Sequence, residues 1–169
     1  MIKILLYLLL LALDSCGANL CYTKHKMSVN PGRTDATCAE VEHAVDCFID
    51  TFPLHHPETT AEHIRSKIKH VLVTWHDEFI VCYYKKKGTD IFIKGLCYGT
   101  QYERFIDVYL EKDVVTSALY HEIIHITTAP NDYDHERKDV WNACDDTIAV
   151  CDFLDKLRQY RVNPDPSNQ

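Results

Sequence analysis

Apolar residues follow two different spacings along this chain. In four stretches they recur every three or four positions, which places them on one face of a helix. This spacing predicts helices over residues 38–52, 60–69, 114–127 and 136–160. Elsewhere β-branched and aromatic residues cluster or alternate with polar ones, as in strands. Such segments occupy residues 71–75, 79–84, 91–93 and 104–110. The pattern predicts an α+β domain with a small, mainly antiparallel or mixed sheet of about three to five strands and a C-terminal helix.

Polar residues and prolines mark the predicted helix ends. Thr37 can cap the first helix and Pro53 can end it, whereas Asp113 can cap the helix that begins at residue 114. The loop after the first helix carries His55 and His56, which we expect at the surface. On the last helix, the residues expected to face the core are Val140, Trp141, Cys144, Ile148, Cys151, Leu154 and Leu157.

Composition divides the chain into four parts. Residues 1–18 are predicted to be an export signal, because Lys3 precedes an apolar run over residues 4–13 that is too short to span a bilayer comfortably. The other parts are a polar N-terminal arm or tether over 19–36, the folded domain over 37–162, and a disordered tail over 163–169.

The end of the predicted signal permits two kinds of processing. Leu13-Asp14-Ser15-Cys16 resembles the lipobox of bacterial lipoproteins, in which the cysteine becomes the lipidated first residue. The alternative is ordinary cleavage after the small residues that end at Ala18. We therefore expect an exported protein that is either secreted or held at the membrane surface by acyl chains on Cys16.

The charge balance argues against one class of partner. The 169-residue chain is 46% hydrophobic, as expected of a globular domain, and its formal net charge is -7. Its basic run, residues 85–87, lies beside Gly88 and is predicted to be a hairpin turn. Because no basic stripe interleaves with aromatic residues, the sequence does not favour nucleic-acid binding. Nothing in the pattern indicates an oligomeric state.

The cysteine content indicates disulfide bonds. Of eight cysteines, Cys16 is expected to be lipidated or removed, which leaves an odd number, seven. At most three disulfides can then form, and one thiol is left over. Cys82 and Cys97 are a candidate pair across two neighbouring strands. Cysteine ligation of a metal is less favoured, since the chain has no Cys-x-x-Cys.

The chemistry concentrates in His121-Glu122-Ile123-Ile124-His125. On the predicted helix over 114–127, positions 121 and 125 lie one turn apart on one face, so that both imidazoles can hold one metal ion. Glu122 beside them can accept a proton from a metal-bound water molecule. The ordinary alternative is two surface histidines on an amphipathic helix.

A catalytic zinc needs a third protein ligand and an open position. The metzincin pattern requires glycine and histidine where this chain has Thr128 and Asn131, so that pattern is absent. His135, after a short polar loop, is the favoured third ligand, and Asp145 is its main rival. The remaining candidates, of which two flank His135 and could orient its second ring nitrogen, are Asp132, Asp134 and Glu136.

These motifs resemble the core of zincin-type metallopeptidases over about residues 60–155. The spacing of His-Glu-x-x-His, a short acidic loop, Asp134-His135 and then Trp141 is similar to that of SprT-like and other small bacterial zincins. The resemblance implies a zincin-like fold with residues 114–127 as active-site helix, a bound Zn²⁺, and a peptide or protein substrate. It also implies that residues 104–110 form the sheet edge that binds substrate backbone.

Two functions follow from the sequence. The first is a zinc-dependent peptide-bond hydrolase in which Glu122 activates a zinc-bound water, with Tyr133 or a nearby histidine donating a further hydrogen bond to the oxyanion. The alternative is a non-catalytic exported or lipid-tethered binding module with a structural zinc or no metal. A closed sphere of four protein ligands would favour the alternative, because it leaves no room for water.

Overall fold

The computed structural model describes residues 20–30, 37–76, 80–85, 92–97, 99–102, 104–109, 115–130 and 132–162. Several predicted features lie outside these residues. They are the export signal over 1–18 with Cys16, the tail over 163–169, the Asp113 cap and the turn at Gly88.

The described residues form four helices and seven strands, so the predicted α+β class is confirmed. The helices are α1 (Cys38–His55), α2 (Ala61–Ile68), α3 (Val115–Thr127) and α4 (Lys138–Val162). The strands are β1 (Cys21–Tyr22), β2 (Ser28–Asn30), β3 (Leu72–His76), β4 (Ile80–Lys85), β5 (Phe92–Cys97), β6 (Gly99–Tyr102) and β7 (Phe105–Tyr109). None of these helices has the length and apolar character that a membrane span requires.

Five strands make one mixed sheet in the order β1-β2-β3-β7-β6. The central strands β2, β3 and β7 run parallel, whereas β1 and β6 are antiparallel to their neighbours. The mixed sheet was one of the two predicted forms. The prediction that residues 104–110 form the sheet edge is wrong, because β7 is paired on both sides and β6 is the outer strand.

A separate antiparallel pair is formed by β4 and β5. Gly95 lies within β5, opposite Cys82, and Cys97 lies opposite Ile80. The strands that carry the candidate Cys82–Cys97 pair are therefore neighbours, as predicted. A bond between the two side chains lies outside what the structure describes and stays a prediction.

One face of the mixed sheet carries the core. The register pairs Val73 with Ile106 and Trp75 with Val108, and all four side chains are buried. Alternate residues such as Thr74 point to the other face and are only half-buried, as the period of two in a strand requires. The helices cover the buried face, and α3 packs directly on β6 and β7.

Helix α1 begins as predicted but ends later. Thr37 and Glu40 form a capping box, in which each side chain accepts a hydrogen bond from the other residue's backbone N–H. The prediction that Pro53 ends the helix is wrong. Proline removes one hydrogen bond, to the carbonyl four residues earlier, but the helix continues to His55 and the next N–H, that of His56, still donates to the Phe52 carbonyl.

The prediction that residues 19–36 form an arm or tether is wrong over residues 20–30. Here β1 and β2 form a hairpin that joins the sheet, with Met27 and Val29 completely buried. A disulfide between Cys21 and Cys38 ties the hairpin to the start of α1. The strands have only two and three residues, too few to produce a recognisable alternation.

The hairpin turn is also held by charge. Lys24 Nζ donates to Asp46 Oδ2 at 2.6 Å, and His25 Nε2 donates to Asp46 Oδ1 at 2.7 Å. Burial alone would raise the pKa of Asp46, but the bonds from Lys24 and His25 outweigh this effect and hold the pKa below its usual value. The ionised Asp46 thus fastens the hairpin to α1.

The long helix α4 packs along α1. A second disulfide joins Cys47 on α1 to Cys151 on α4, and Cys144 is a buried free thiol among the described cysteines. The prediction that Leu154 and Leu157 face the core is wrong, since they are 48% and 40% exposed. Antiparallel packing brings Cys151 to Cys47 and Asp155 to His43, and Leu154 and Leu157 lie on the side of α4 turned away from these contacts.

Removal of the Cys47–Cys151 bond is expected to lower the free energy of unfolding by about 2–5 kcal/mol, because the bond closes a long loop in the unfolded chain. The double variant Cys47→Ala with Cys151→Ala is measured by urea unfolding. The matched control replaces Cys21 and Cys38, which are 17 residues apart against 104 for the first pair. An equal or larger loss in the control would contradict the loop-entropy explanation.

Replacement of Asp46 by Asn is expected to lower the free energy of unfolding by about 1 kcal/mol at neutral pH. The folded pKa of Asp46 is depressed, so its contribution is present above the unfolded pKa of about 4 and is lost as the pH falls through the folded pKa. Urea unfolding at several pH values should therefore show the difference shrinking on acidification. Asp50→Asn, at an exposed site, is the charge-matched control, and a difference independent of pH would refute the assignment.

Candidate metal centre

The first two histidines of the centre are held by α3. His121 and His125 lie one helical turn apart, and their Nε2 atoms are 3.3 Å from each other. The opposite side of the helix is buried through Leu119, Ile123 and Ile124. These apolar contacts fix the rotation of α3 about its axis, and therefore the direction in which both imidazoles point.

The third histidine comes from the loop between α3 and α4. The ring centre of His135 is 4.8 Å from that of His121 and 5.5 Å from that of His125. One ligand nitrogen of each histidine lies within 4.8 Å of the other two, so the three residues could hold a metal ion. Asp145, the predicted rival, is exposed on α4 and is not part of this group.

The geometry fits a tetrahedral ion. Two nitrogens bound to one tetrahedral zinc at the usual bond length lie about 3.3 Å apart. The measured separation of the His121 and His125 Nε2 atoms agrees with this value. His135 is half-buried on the loop, and its ligand nitrogen lies within 4.8 Å of the other two.

Burial favours the neutral form of the two histidines on α3. Burial, and then the neighbouring His125 and His135, lower the pKa of His121 to about 4. Burial also lowers the pKa of His125, against an opposing influence of the Ala129 backbone. Neutral imidazole has the free lone pair that metal coordination requires, so these histidines need not lose a proton at neutral pH.

Glu122 follows His121 on α3 and is a buried acid. It is 5% exposed, and burial raises its pKa to about 7. A carboxyl group whose pKa lies near neutrality is suited to accept and return a proton. A cation bound beside it would favour the ionised form and lower that pKa.

Trp141 forms a common wall for all three imidazoles. Its ring centre is 4.7 Å from His121, 5.0 Å from His125 and 4.4 Å from His135. The residue is buried near the start of α4, and it excludes water from one side of the centre. The sequence identified Trp141 as an aromatic residue after the motif and as a core-facing position of the last helix, and its burial confirms the second prediction. Spacing alone does not show that this face of α4 meets the three histidines.

The acidic residues of the loop have other roles than ligation. Both oxygens of Asp132 accept hydrogen bonds, from the Trp141 indole and from the backbone of Glu136 and Arg137. Partial burial works against ionisation of Asp132, but these bonds outweigh it and lower its pKa. Asp134 and Glu136 are exposed, and their predicted contact with the second ring nitrogen of His135 stays a prediction.

Tyr133 lies at the open side of the centre. Its ring stacks on His125 with 5.6 Å between ring centres, and the residue is 64% exposed. This position is compatible with the predicted contact to a substrate. The phenol is the exposed aromatic group nearest to the three histidines among the described residues.

The end of α3 is capped by residues that the sequence did not identify. The backbone carbonyl of Thr127 accepts from His63 Nε2 at 2.9 Å, and that of Thr128 accepts from Arg137 Nη1 at 3.0 Å. These bonds satisfy carbonyls that have no partner within the helix. No sequence motif marks them, since the donors come from distant elements.

The surface position predicted for His56 is wrong. The residue is buried, with Nδ1 at 3.0 Å from Thr59 Oγ1 and Nε2 at 3.4 Å from Asp139 Oδ2. Asp139 also accepts from Arg137, and Thr59 donates to Thr128 Oγ1. These contacts join the ends of α1 and α3 to the starts of α2 and α4.

A scan against protein-family models and searches of curated proteins and of solved structures found no match to this chain. The geometry of the centre and the chemistry of its side chains are therefore the evidence on function.

His135→Ala is expected to weaken zinc binding by more than about a hundredfold, because the loss of an outer partner alone lowers metal affinity about ten- to a hundredfold. Asp145→Ala is expected to bind zinc as the wild type does. The two variants and the wild type are compared by competition with a chromophoric chelator and by metal analysis. Loss of zinc from Asp145→Ala but not from His135→Ala would exchange the two assignments.

Proposed function

We propose that this protein is a zinc-dependent peptide-bond hydrolase with a zincin-like fold. The observation that carries the proposal is the convergence of three imidazoles, from His121, His125 and His135, together with the buried carboxyl group of Glu122, the residue that follows His121. Three protein nitrogens and a neighbouring acid are the set that a catalytic zinc site uses.

The chemistry of the metal is well defined for such a ligand set. A bound Zn²⁺ would lower the pKa of a coordinated water toward neutrality and polarise the substrate carbonyl. His121 and His125 would hold the ion from α3, and His135 would complete the binding set from the loop.

Glu122 performs the proton transfers in this proposal. Its carboxylate accepts a proton from the attacking water and delivers it to the departing amine nitrogen. Two features support this role, namely its place next to His121 and its burial, which brings its proton affinity close to that needed near neutral pH. We assign to Tyr133, whose ring stacks on His125, or to a nearby histidine, a hydrogen bond to the carbonyl oxygen of the substrate.

The number of ligands favours catalysis over a purely structural metal. A structural zinc is enclosed by four protein ligands. In the part of the chain that the structure describes, no fourth histidine, cysteine or carboxylate joins the three histidines. The fourth position is thus left for water, and the alternative of a non-catalytic binding module is less well supported.

An exported location accompanies the proposal. The two disulfides are consistent with an extracellular or otherwise oxidising compartment. We propose that residues 1–18 direct export and that the folded protein is either secreted or tethered through Cys16. The proposed substrate is a peptide or protein in that compartment.

Glu122→Gln is expected to retain zinc and to lower the rate of peptide hydrolysis by about 10²–10⁴-fold, because glutamine keeps the shape of the side chain but cannot accept the proton. Hydrolysis is measured on a fluorogenic peptide library, with zinc content determined on the same samples. Glu62→Gln, at an exposed position on α2, is the matched control and should behave as the wild type. Stoichiometric zinc in the wild type without cleavage of any peptide or unfolded protein would overturn the hydrolase assignment.

A further inference from the structure

The loop that carries His135 has an internal anchor. Asp132 Oδ1 accepts from the backbone N–H of Glu136 at 2.9 Å, and Oδ2 accepts from that of Arg137 at 3.1 Å. These two bonds fold the loop back on itself around His135. An aspartate whose oxygens bind backbone N–H groups four and five residues later stabilises a turn that the chain would otherwise leave open.

The same carboxylate also holds the wall of the centre. Asp132 Oδ2 accepts from Trp141 Nε1 at 2.7 Å, a charge-assisted hydrogen bond. Because the indole ring contacts all three imidazoles, this bond sets the ring plane against which His135 packs. One side chain therefore links the turn to the aromatic wall.

The backbone of His135 shows why an anchor is needed. Its φ is 54°, in the left-handed region that is strained for a residue with a Cβ. The loop is closed at its base by Arg137, whose Nη1 donates to the Thr128 carbonyl. A strained residue keeps such a conformation only when its surroundings determine it. Here the backbone carbonyl of Asp132 accepts from the His135 N–H, and its carboxylate accepts from the N–H groups of the next two residues.

We propose that Asp132 is a positioning residue for the metal centre, which presents His135 to the two histidines of α3 by holding the loop and the Trp141 ring together. The inference depends on the proposed metal-binding function. It also explains why Asp132, one of the acids considered as a third ligand, does not itself join the set, since its oxygens already accept three N–H donors.

Asp132→Asn tests the role directly. The amide keeps the size of the side chain but replaces one acceptor oxygen with a donor, which faces N–H groups that also donate. We expect its affinity for Zn²⁺ and Co²⁺ to fall about ten- to a hundredfold. We also expect the Co²⁺ absorption spectrum to shift toward that of His135→Ala, because the third imidazole is less well held. Asp152→Asn, an exposed site on α4, is the charge-matched control and should keep wild-type affinity and spectrum.

A double-mutant cycle separates positioning from general destabilisation. If Asp132 acts through His135, Asp132→Asn should change the Co²⁺ affinity of His135→Ala by less than about twofold. If Asp132→Asn lowers the Co²⁺ affinity of His135→Ala as much as it lowers that of the wild type, the inference is overturned. Wild-type affinity in Asp132→Asn would also overturn it. Should the wild type bind neither ion, the proposed function fails together with this inference. If the wild type binds both ions and Asp132→Asn binds them with the same affinity, the positioning role alone is refuted.

Folding of each variant is checked by circular dichroism and by the state of the two disulfides. If Asp132→Asn does not fold, Trp141→Phe takes its place in the same cycle, because it removes one donor to Asp132 and keeps an aromatic wall. A Trp141→Phe variant with unchanged affinity and spectrum would then overturn the inference, and a loss that disappears in the His135→Ala background would support it.

Discussion

The burial of α3 is the constraint on which the candidate centre depends. This helix contacts β6 and β7 and all three of the other helices, and its side chains Leu119, Ile123 and Ile124 are fully enclosed. A helix packed on so many sides cannot rotate about its axis without opening the core. His121 and His125 therefore keep one direction, and the precision of the site comes from apolar packing some distance from the chemistry.

The backbone carbonyls at the C-terminal end of this buried helix require hydrogen-bond donors from other elements. Carbonyls at a helix C-terminus remain without intrahelical bonds, and in a protein interior each unsatisfied group costs about 1–3 kcal/mol. Here the donors are His63 from α2 and Arg137 from the start of α4. The bond from Arg137 also closes the loop that holds His135. One contact thus satisfies the end of the helix and helps to place the third imidazole.

Burial also determines the chemistry of the side chains. The enclosure that lowers the pKa of His121 and His125 raises the pKa of Glu122, because desolvation disfavours every charged form. Neutral nitrogens and a weakly acidic carboxyl group are thus consequences of one environment. The same part of the fold brings the three imidazoles together, with the Nε2 atoms of His121 and His125 3.3 Å apart, so that they could hold a metal ion.

The sequence by itself determined the long elements and the local chemistry. Periodicity located α1, α2, α3 and α4, and the spacing of His121 and His125 predicted their common face, since both depend on neighbours within a turn or two. Only the tertiary structure decided which strand lies at the sheet edge, that residues 20–30 join the sheet, and that Trp141, Asp132 and Arg137 serve the loop around His135. These features arise from contacts between different elements of the fold, which the local spacing of residues does not predict.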